Sequence, residues 1–271
     1  MKTFAIKDDT VSRHRALAYL LYYEIAKMFF VEISEQTTEW EAPLLLSSFI
    51  KRGQYTVDHF WSRKWVQQRI IPPDRQNLGE ILRENGLREY DEFEFLILSD
   101  GRCAQDDCYI EPVDADEIYK NMKGRHGKKI RSAVPLQSQD ILLFFKDETI
   151  KKCGVAEVLS EEKGYSLFRE HPDVFQKMKI LPGGHGICWG EHLTVSCDKL
   201  YQAGVSIPLS PSDFTVFIEH EVISTADAAE RLDCTRQNIE DLIRRDKLHP
   251  VKVMQKGKLF LHSEVEQRRW K

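Results

Sequence analysis

Three observations predict an α+β fold built in three parts. Helix-period and strand-like segments are mixed along the chain with no internal repeat. The length of 271 residues is enough for two or three domains. Charge is divided unevenly along it. Residues 1–113 carry 14 Lys and Arg against 19 Asp and Glu, whereas residues 221–271 carry 11 against 9. Only the C-terminal piece is net basic, which speaks against a chain that coats nucleic acid along its length. The expected division is 1–113, a mixed N-terminal domain; 114–138, a flexible basic linker; 139–219, a small antiparallel α+β domain; and 220–271, a last module.

Bulk properties exclude several classes. A hydrophobic share of 42% with 10% aromatics is too high for a disordered chain. The apolar run Ala16 to Tyr23 is far shorter than the ~20 residues a membrane span needs. The N-terminal residues show no signal-type cleavage pattern, so a cytoplasmic location and no membrane contact are expected. Six cysteines are scattered singly, which predicts reduced thiols rather than a disulfide framework.

In the N-terminal part, Ser12 can cap a helix carrying Leu17, Leu20, Leu21, Ile25 and Met28, followed by a strand over Phe29 to Ile33. Residues 38–54 read as a helix ending at Gly53, and residues 55–70 as a second amphipathic stretch. After Pro72-Pro73, Asp74 can cap a helix that Gly86 closes. Asp91 to Leu98 reads as a strand. It turns at Ser99-Asp100-Gly101 into a second strand at Tyr109-Ile110, forming a hairpin. The string Trp65 to Asn77, with Tyr90 to Phe93 and Gly101-Arg102 to Asp106-Asp107, is similar to uncharacterised bacterial open reading frames, a likeness that implies no mechanism.

A short helix over Asp114 to Met122 precedes a stretch, Lys120 to Arg131, with six Lys or Arg and no acid. Beyond it come a strand at Ile141 to Phe145, a turn, and a returning strand over Thr149 to Val155. A helix is expected over Glu161 to Glu170. A strand at Lys177 to Leu181 then turns through Pro182-Gly183-Gly184-His185-Gly186 and pairs with Ile187 to Trp189. The residues Phe144 to Ile150, Phe168 to Phe175, Gly186-Ile187-x-Trp189-x-Glu191-x-Leu193 and Leu200-Tyr201-x-x-Gly204 resemble a bacterial domain of unknown function found beside small toxin-like proteins. In some members a helix-turn-helix follows. The resemblance implies an antiparallel sheet with a helix and a regulatory or antitoxin-like setting, and it implies no catalytic residue.

The last fifty residues carry the most specific pattern. Ser224-Thr-Ala-Asp227 is a capping-box variant, followed by Ala228, Ala229 and Leu232 on one helix face. Asp233-Cys234 forms a turn. Thr235 caps a second helix with an apolar stripe of Ile239, Leu242 and Ile243. Val251 to Met254 and Leu259 to Leu261 flank Gln-Lys-Gly-Lys, a hairpin with a glycine turn, and Ser263 can cap a final helix. Helix, turn, helix, hairpin and helix make a winged helix-turn-helix. Ala228-Ala229-x-x-Leu232, Thr235-Arg236-x-x-Ile239, Leu248 and the Phe260 to Val265 junction resemble the excisionase and MerR-type DNA-binding modules.

That resemblance implies double-stranded DNA as partner. Arg236, Gln237 and Asn238 stand where a recognition helix meets base edges, where Arg suits guanine and Gln or Asn suits adenine. Ser224 and Thr235, at helix N-termini, suit phosphates. Arg244 and Arg245 are expected nearer the backbone, and Lys256 and Lys258 at the wing tip. One module makes few phosphate contacts, so a homodimer is expected, or a second contact that the basic linker Lys120 to Arg131 could supply. The expected role is a bacterial transcriptional regulator. The rival is an antitoxin-like adaptor that binds a protein through residues 1–219.

Catalytic and metal constellations are incomplete. Cys103, Asp106, Asp107 and Cys108 lack a matching second pair, and His185, Cys188 and His192 complete no zinc spacing. An active site in residues 1–113 would need a pocket joining Arg69, Arg75, Asp106 and Asp107. No enzyme activity, cofactor or metal is expected.

Overall fold

The computed structural model describes residues 1–11, 15–136, 138–159, 168, 170–190, 193–209 and 211–270. Helices and antiparallel sheets are both present, and the fold is α+β. The chain forms two compact units, Met1–Lys123 and Gly124–Lys271. No helix among the described residues is long and apolar enough to cross a membrane.

The first unit is built on a five-stranded antiparallel sheet. Its strands are β1 (Lys2–Lys7), β2 (Ala18–Tyr23), β3 (Met28–Ile33), β4 (Thr56–Val57) and β5 (Tyr109–Pro112), in the order β4-β3-β2-β1-β5. The helix expected over residues 12–28 is instead the β2 strand and its turn into β3, and Ser12 lies outside the described residues. Every residue of β2 is buried. A central strand covered on both faces reads as an unbroken apolar run and mimics a buried helix. Helices α1 (Leu44–Lys51), α2 (His59–Gln67), α3 (Leu78–Glu84), α4 (Glu92–Leu98) and α5 (Ala115–Asn121) complete the unit. Asn77, not Asp74, precedes α3.

A second correction concerns α4, expected as a strand. The Asp91 carboxylate accepts from the backbone N–H of Phe93 at 2.9 Å, which caps a helix. Phe93 then stacks on Tyr22 at 4.2 Å, and Leu96, one turn on, is fully buried. The cap and the i, i+3 pair of Phe93 and Leu96 decide for the helix. The expected hairpin is absent, because β5 pairs with β1.

In the second unit, β6 (Ile130–Pro135), β7 (Asp140–Phe145), β8 (Ile150–Gly154) and β12 (Val205–Ser206) form a four-stranded sheet ordered β12-β8-β7-β6. A three-stranded sheet holds β9 (Lys179–Ile180), β10 (Gly186–Trp189) and β11 (Leu193–Ser196). Short helices α6 (Lys123–Gly127), α7 (Val155–Leu159), α8 (Pro172–Gln176) and α9 (Cys197–Ala203) accompany them. Phe168, Phe175 and Trp189 pack ring to ring, and the Trp189 indole donates to the Phe175 carbonyl at 2.9 Å. The expected helix over Glu161 to Glu170 lies almost wholly outside the described residues. Gly184 is required in its turn: at φ +77°, a Cβ would stand 2.1 Å from the Ile130 carbonyl oxygen.

The basic stretch expected as a linker is built into structure. Its end becomes β6, laddered to β7, and Arg125 and Lys129 are buried. Apolar Ile130 and Val134, both fully buried, anchor that strand in the core and draw its basic neighbours with it.

Helix α10 (Pro211–Glu221), which has no counterpart among the expected elements, leads directly into β13 (Val222–Ser224). Then follow α11 (Thr225–Arg231), α12 (Arg236–Arg244), β14 (Lys252–Met254), β15 (Gly257–Leu261) and α13 (His262–Arg269). Ile223, Ala228, Ala229, Ile239, Leu248, Phe260 and Val265 form their shared core. The hairpin gains a third strand, in the order β13-β15-β14.

Candidate nucleic-acid interface

The local chemistry of the last fifty residues explains their geometry. Ser224 caps α11 through a reciprocal box. Its hydroxyl oxygen accepts from the Asp227 N–H at 3.3 Å, and the Asp227 carboxylate accepts from the Ser224 N–H at 3.0 Å. The Ser224 hydroxyl, which donates to the Asp227 carboxylate at 2.8 Å, and after it the Ser224 N–H hold that carboxyl below its ordinary range. Thr235 caps α12, its hydroxyl accepting from the Asn238 N–H at 3.2 Å.

Both helices end the same way. After α11, the N–H of Asp233 bonds Glu230 O at 3.1 Å, and that of Cys234 bonds Ala229 O at 2.9 Å. After α12, Asp246 and Lys247 repeat the pattern on Ile243 and Leu242. These are paired Schellman closures with Asp in the left-handed position, at φ +48° and +55°. The first sets the tight turn between the two helices.

Thr225 ties the start of α11 to the hairpin. Its hydroxyl donates to the Lys258 carbonyl at 3.1 Å and accepts from the Lys258 N–H at 3.2 Å. A groove of about 430 Å³ results between the two helix starts and the hairpin. It brings together five residues expected from the sequence: Ser224, Arg236, Gln237, Lys256 and Lys258. Thr225, Glu240 and Met254, which are not among the residues expected from the sequence, also line it. Thr235, Asn238, Arg244 and Arg245 lie outside the groove wall; Asn238, Arg244 and Arg245 are exposed on α12 and its C-terminal end.

The hairpin departs from expectation at its tip. Met254 pairs with Gly257, so Gln255 and Lys256 make the turn and Gly257 opens the return strand. Lys256 therefore stands at the tip, but Lys258 sits inside β15, and its ammonium pairs with the Glu240 carboxylate of α12. Arg244 pairs with Asp241 at 3.1 Å. Among the described residues, Arg236, Arg245 and Lys256 make no ion pair. Ser263, expected as a cap, is the second residue of α13 and is buried. Its N–H donates to the buried Glu221 carboxylate at 3.1 Å.

The other constellations resolve differently. Arg69 meets Asp106 at 2.5 Å, but Arg75 bonds Asn77 at 3.1 Å instead of joining them. Burial, then the charge of Asp106, pushes the Cys108 thiol up to about 12. His185 is buried 3.2 Å from the Lys129 ammonium nitrogen, and burial with that charge drives its pKa well below the usual value. His192 lies outside the described residues. Among the described residues, no group of three His, Cys, Asp or Glu side chains is placed to hold a metal ion.

No protein-family model matches the chain, and none of the curated proteins or solved structures compared with it matches.

Proposed function

We propose that the C-terminal module, residues 220–271, binds double-stranded DNA sequence-selectively and that the protein is a bacterial, cytoplasmic transcriptional regulator without enzyme activity. The observation that carries this reading is the shared groove. One concave surface holds Arg236 and Gln237 from the first turn of α12, Ser224 from the start of α11, and Lys256 and Lys258 from the hairpin. Arg and Gln carry the side-chain donors and acceptors that read base edges in a major groove. The flanking lysines and helix N-termini supply phosphate contacts. Acting alone, the module offers few such contacts, which favours a homodimer on a two-fold-related site.

The test is an anisotropy titration of the full chain with fluorescein-labelled duplexes, using the promoter upstream of its own gene against a scrambled duplex at two salt concentrations. Tight binding to the promoter is expected. The double variant Arg236→Ala/Gln237→Ala should lose most of the preference while keeping weak, salt-sensitive binding. Equal, weak binding of both duplexes by the unaltered chain would overturn the reading.

A second reading has its own support. In the first unit, Trp40, Leu44, Phe60 and Trp61 are large, exposed side chains, with Trp40 86% and Leu44 89% accessible. Trp61 meets Phe60 and Phe49 edge-on, at 5.3 and 6.1 Å. Large exposed aromatic side chains are enriched at protein-contact surfaces. This favours a protein partner for the first unit, as an adaptor or antitoxin-like protein requires. Co-purification of a stoichiometric partner that is lost with Trp40→Ser/Phe60→Ser would support it.

A further inference from the structure

The groove contains one carboxylate, and its placement is unusual for a surface meant to face a polyanion. Glu240 lies four residues beyond Arg236 and three beyond Gln237, so all three share one face of α12. All three line the groove together with Lys258. The Glu240 side chain is 48% exposed, and it is bound to the Lys258 ammonium. Against a duplex, a bare carboxylate here would be repelled by phosphate. A carboxylate aimed at base edges has one strong partner, the cytosine N4 amino group.

Lys258 is suited to exchange partners without moving its backbone. Both main-chain groups of Lys258 are held by the Thr225 hydroxyl, so only the flexible four-carbon stem has to swing. A partly exposed ion pair is weak in water and is readily traded for a phosphate contact. While the pair is intact, it neutralises the carboxylate in the free protein.

We propose that Glu240 selects a cytosine in the target duplex and that Lys258 is its exchangeable counterion, leaving Glu240 for a backbone phosphate when DNA enters the groove. The proposal rests on the DNA-binding reading above and adds to it the base that is read. Arg236 and Glu240 are about 6 Å apart along the helix axis, and base pairs rise about 3.4 Å each. The guanine suited to Arg236 and the cytosine suited to Glu240 therefore fall within about two base pairs of each other.

The experiment is selection by the full-length protein from a pool of duplexes randomised across the binding site, followed by sequencing. It is run in parallel with Glu240→Gln and Lys258→Met, with thermal melting to verify that each variant is folded. The unaltered chain should enrich a guanine with a cytosine within two base pairs, the cytosine favoured about tenfold. Glu240→Gln should lose that cytosine preference while keeping the guanine. Lys258→Met should keep the cytosine preference, bind all duplexes more weakly, and flatten the log–log salt dependence by about one unit. An unchanged cytosine preference in Glu240→Gln, or selection of a site without cytosine, overturns this inference and leaves the DNA-binding reading standing. If the unaltered chain enriches no sequence, both fall.

Discussion

Two ion pairs, one in each unit, are built from the same chemistry and placed for opposite ends. In the first unit, the Arg69 side chain is almost fully buried, stacked 3.8 Å from the centre of the Trp65 ring and paired with Asp106. The Arg69 Nε and the Trp65 Nε1 both lie buried without a protein acceptor. In the second unit, Lys258 and Glu240 face a groove and keep access to water. The difference lies in solvation. The Arg69 side chain has little access to water, so losing its one carboxylate partner is costly to the fold. Lys258 has water, and any anion entering the groove, as competing partners.

Removing the carboxylate of the first pair is the largest expected effect. Asp106→Ala should cost about 3 kcal/mol in chemical denaturation, because a buried guanidinium loses its counterion. Asp106 itself is partly exposed, which keeps the loss at the low end of the range for buried pairs. A loss below about 1 kcal/mol would show that Arg69 is satisfied in another way. The matching change in the second pair, Lys258→Met, should alter stability by less than about 1 kcal/mol. If both changes cost the same, the contrast between the pairs is broken.

The smallest effect concerns pH. His249 sits between Glu264, 2.7 Å from its Nδ1, and Asp246, 3.1 Å from its Nε2. Hydrogen bonds from Glu264 first, then Asp246, raise its pKa above the usual 6.5. A group whose pKa rises on folding stabilises most when protonated in both states. Its contribution is therefore full below about pH 6.5 and fades as pH climbs through the raised value. An NMR titration should place the His249 midpoint above 6.5, and His249→Gln should remove a small excess of thermal stability at about pH 6 over pH 8. A midpoint at or below 6.5 would show that the two carboxylates do not hold the proton. The contact joins the segment after α12 to α13 at the surface, so it sharpens the comparison: like the Lys258–Glu240 pair, it keeps access to water.

How far the sequence was legible follows the range of the interactions. Ser224 with Asp227, Thr235 with Asn238, and Asp114 ahead of α5 are caps made within three residues, and each is visible in the chain as written. The β2 strand was misread because its neighbours β1 and β3 cover it, and a strand's cover cannot be read from the strand. Strand β13 was missed for a related reason. Three residues acquire strand character only by laddering to β15, nearly forty positions on. In the groove, the cations were found by their position on α12 and the hairpin, but Glu240 was passed over. Its partner is eighteen residues away, and the one available signal was its i+4 spacing from Arg236.

The junction after α10 has a mechanical consequence. Helix α10 passes into β13 without an intervening loop, and β13 is stitched into the hairpin sheet. Near the same place, α10 packs on β6, and the Gln267 amide of α13 donates to the Arg131 carbonyl at 3.1 Å. The module is thus joined to the sheet behind it by strand pairing, helix packing and a hydrogen bond, with no loop between α10 and β13. In the dimer proposed above, the gap between the two modules would be gauged by the four-stranded sheets behind them, and tilting a sheet would retune the span the pair can bridge.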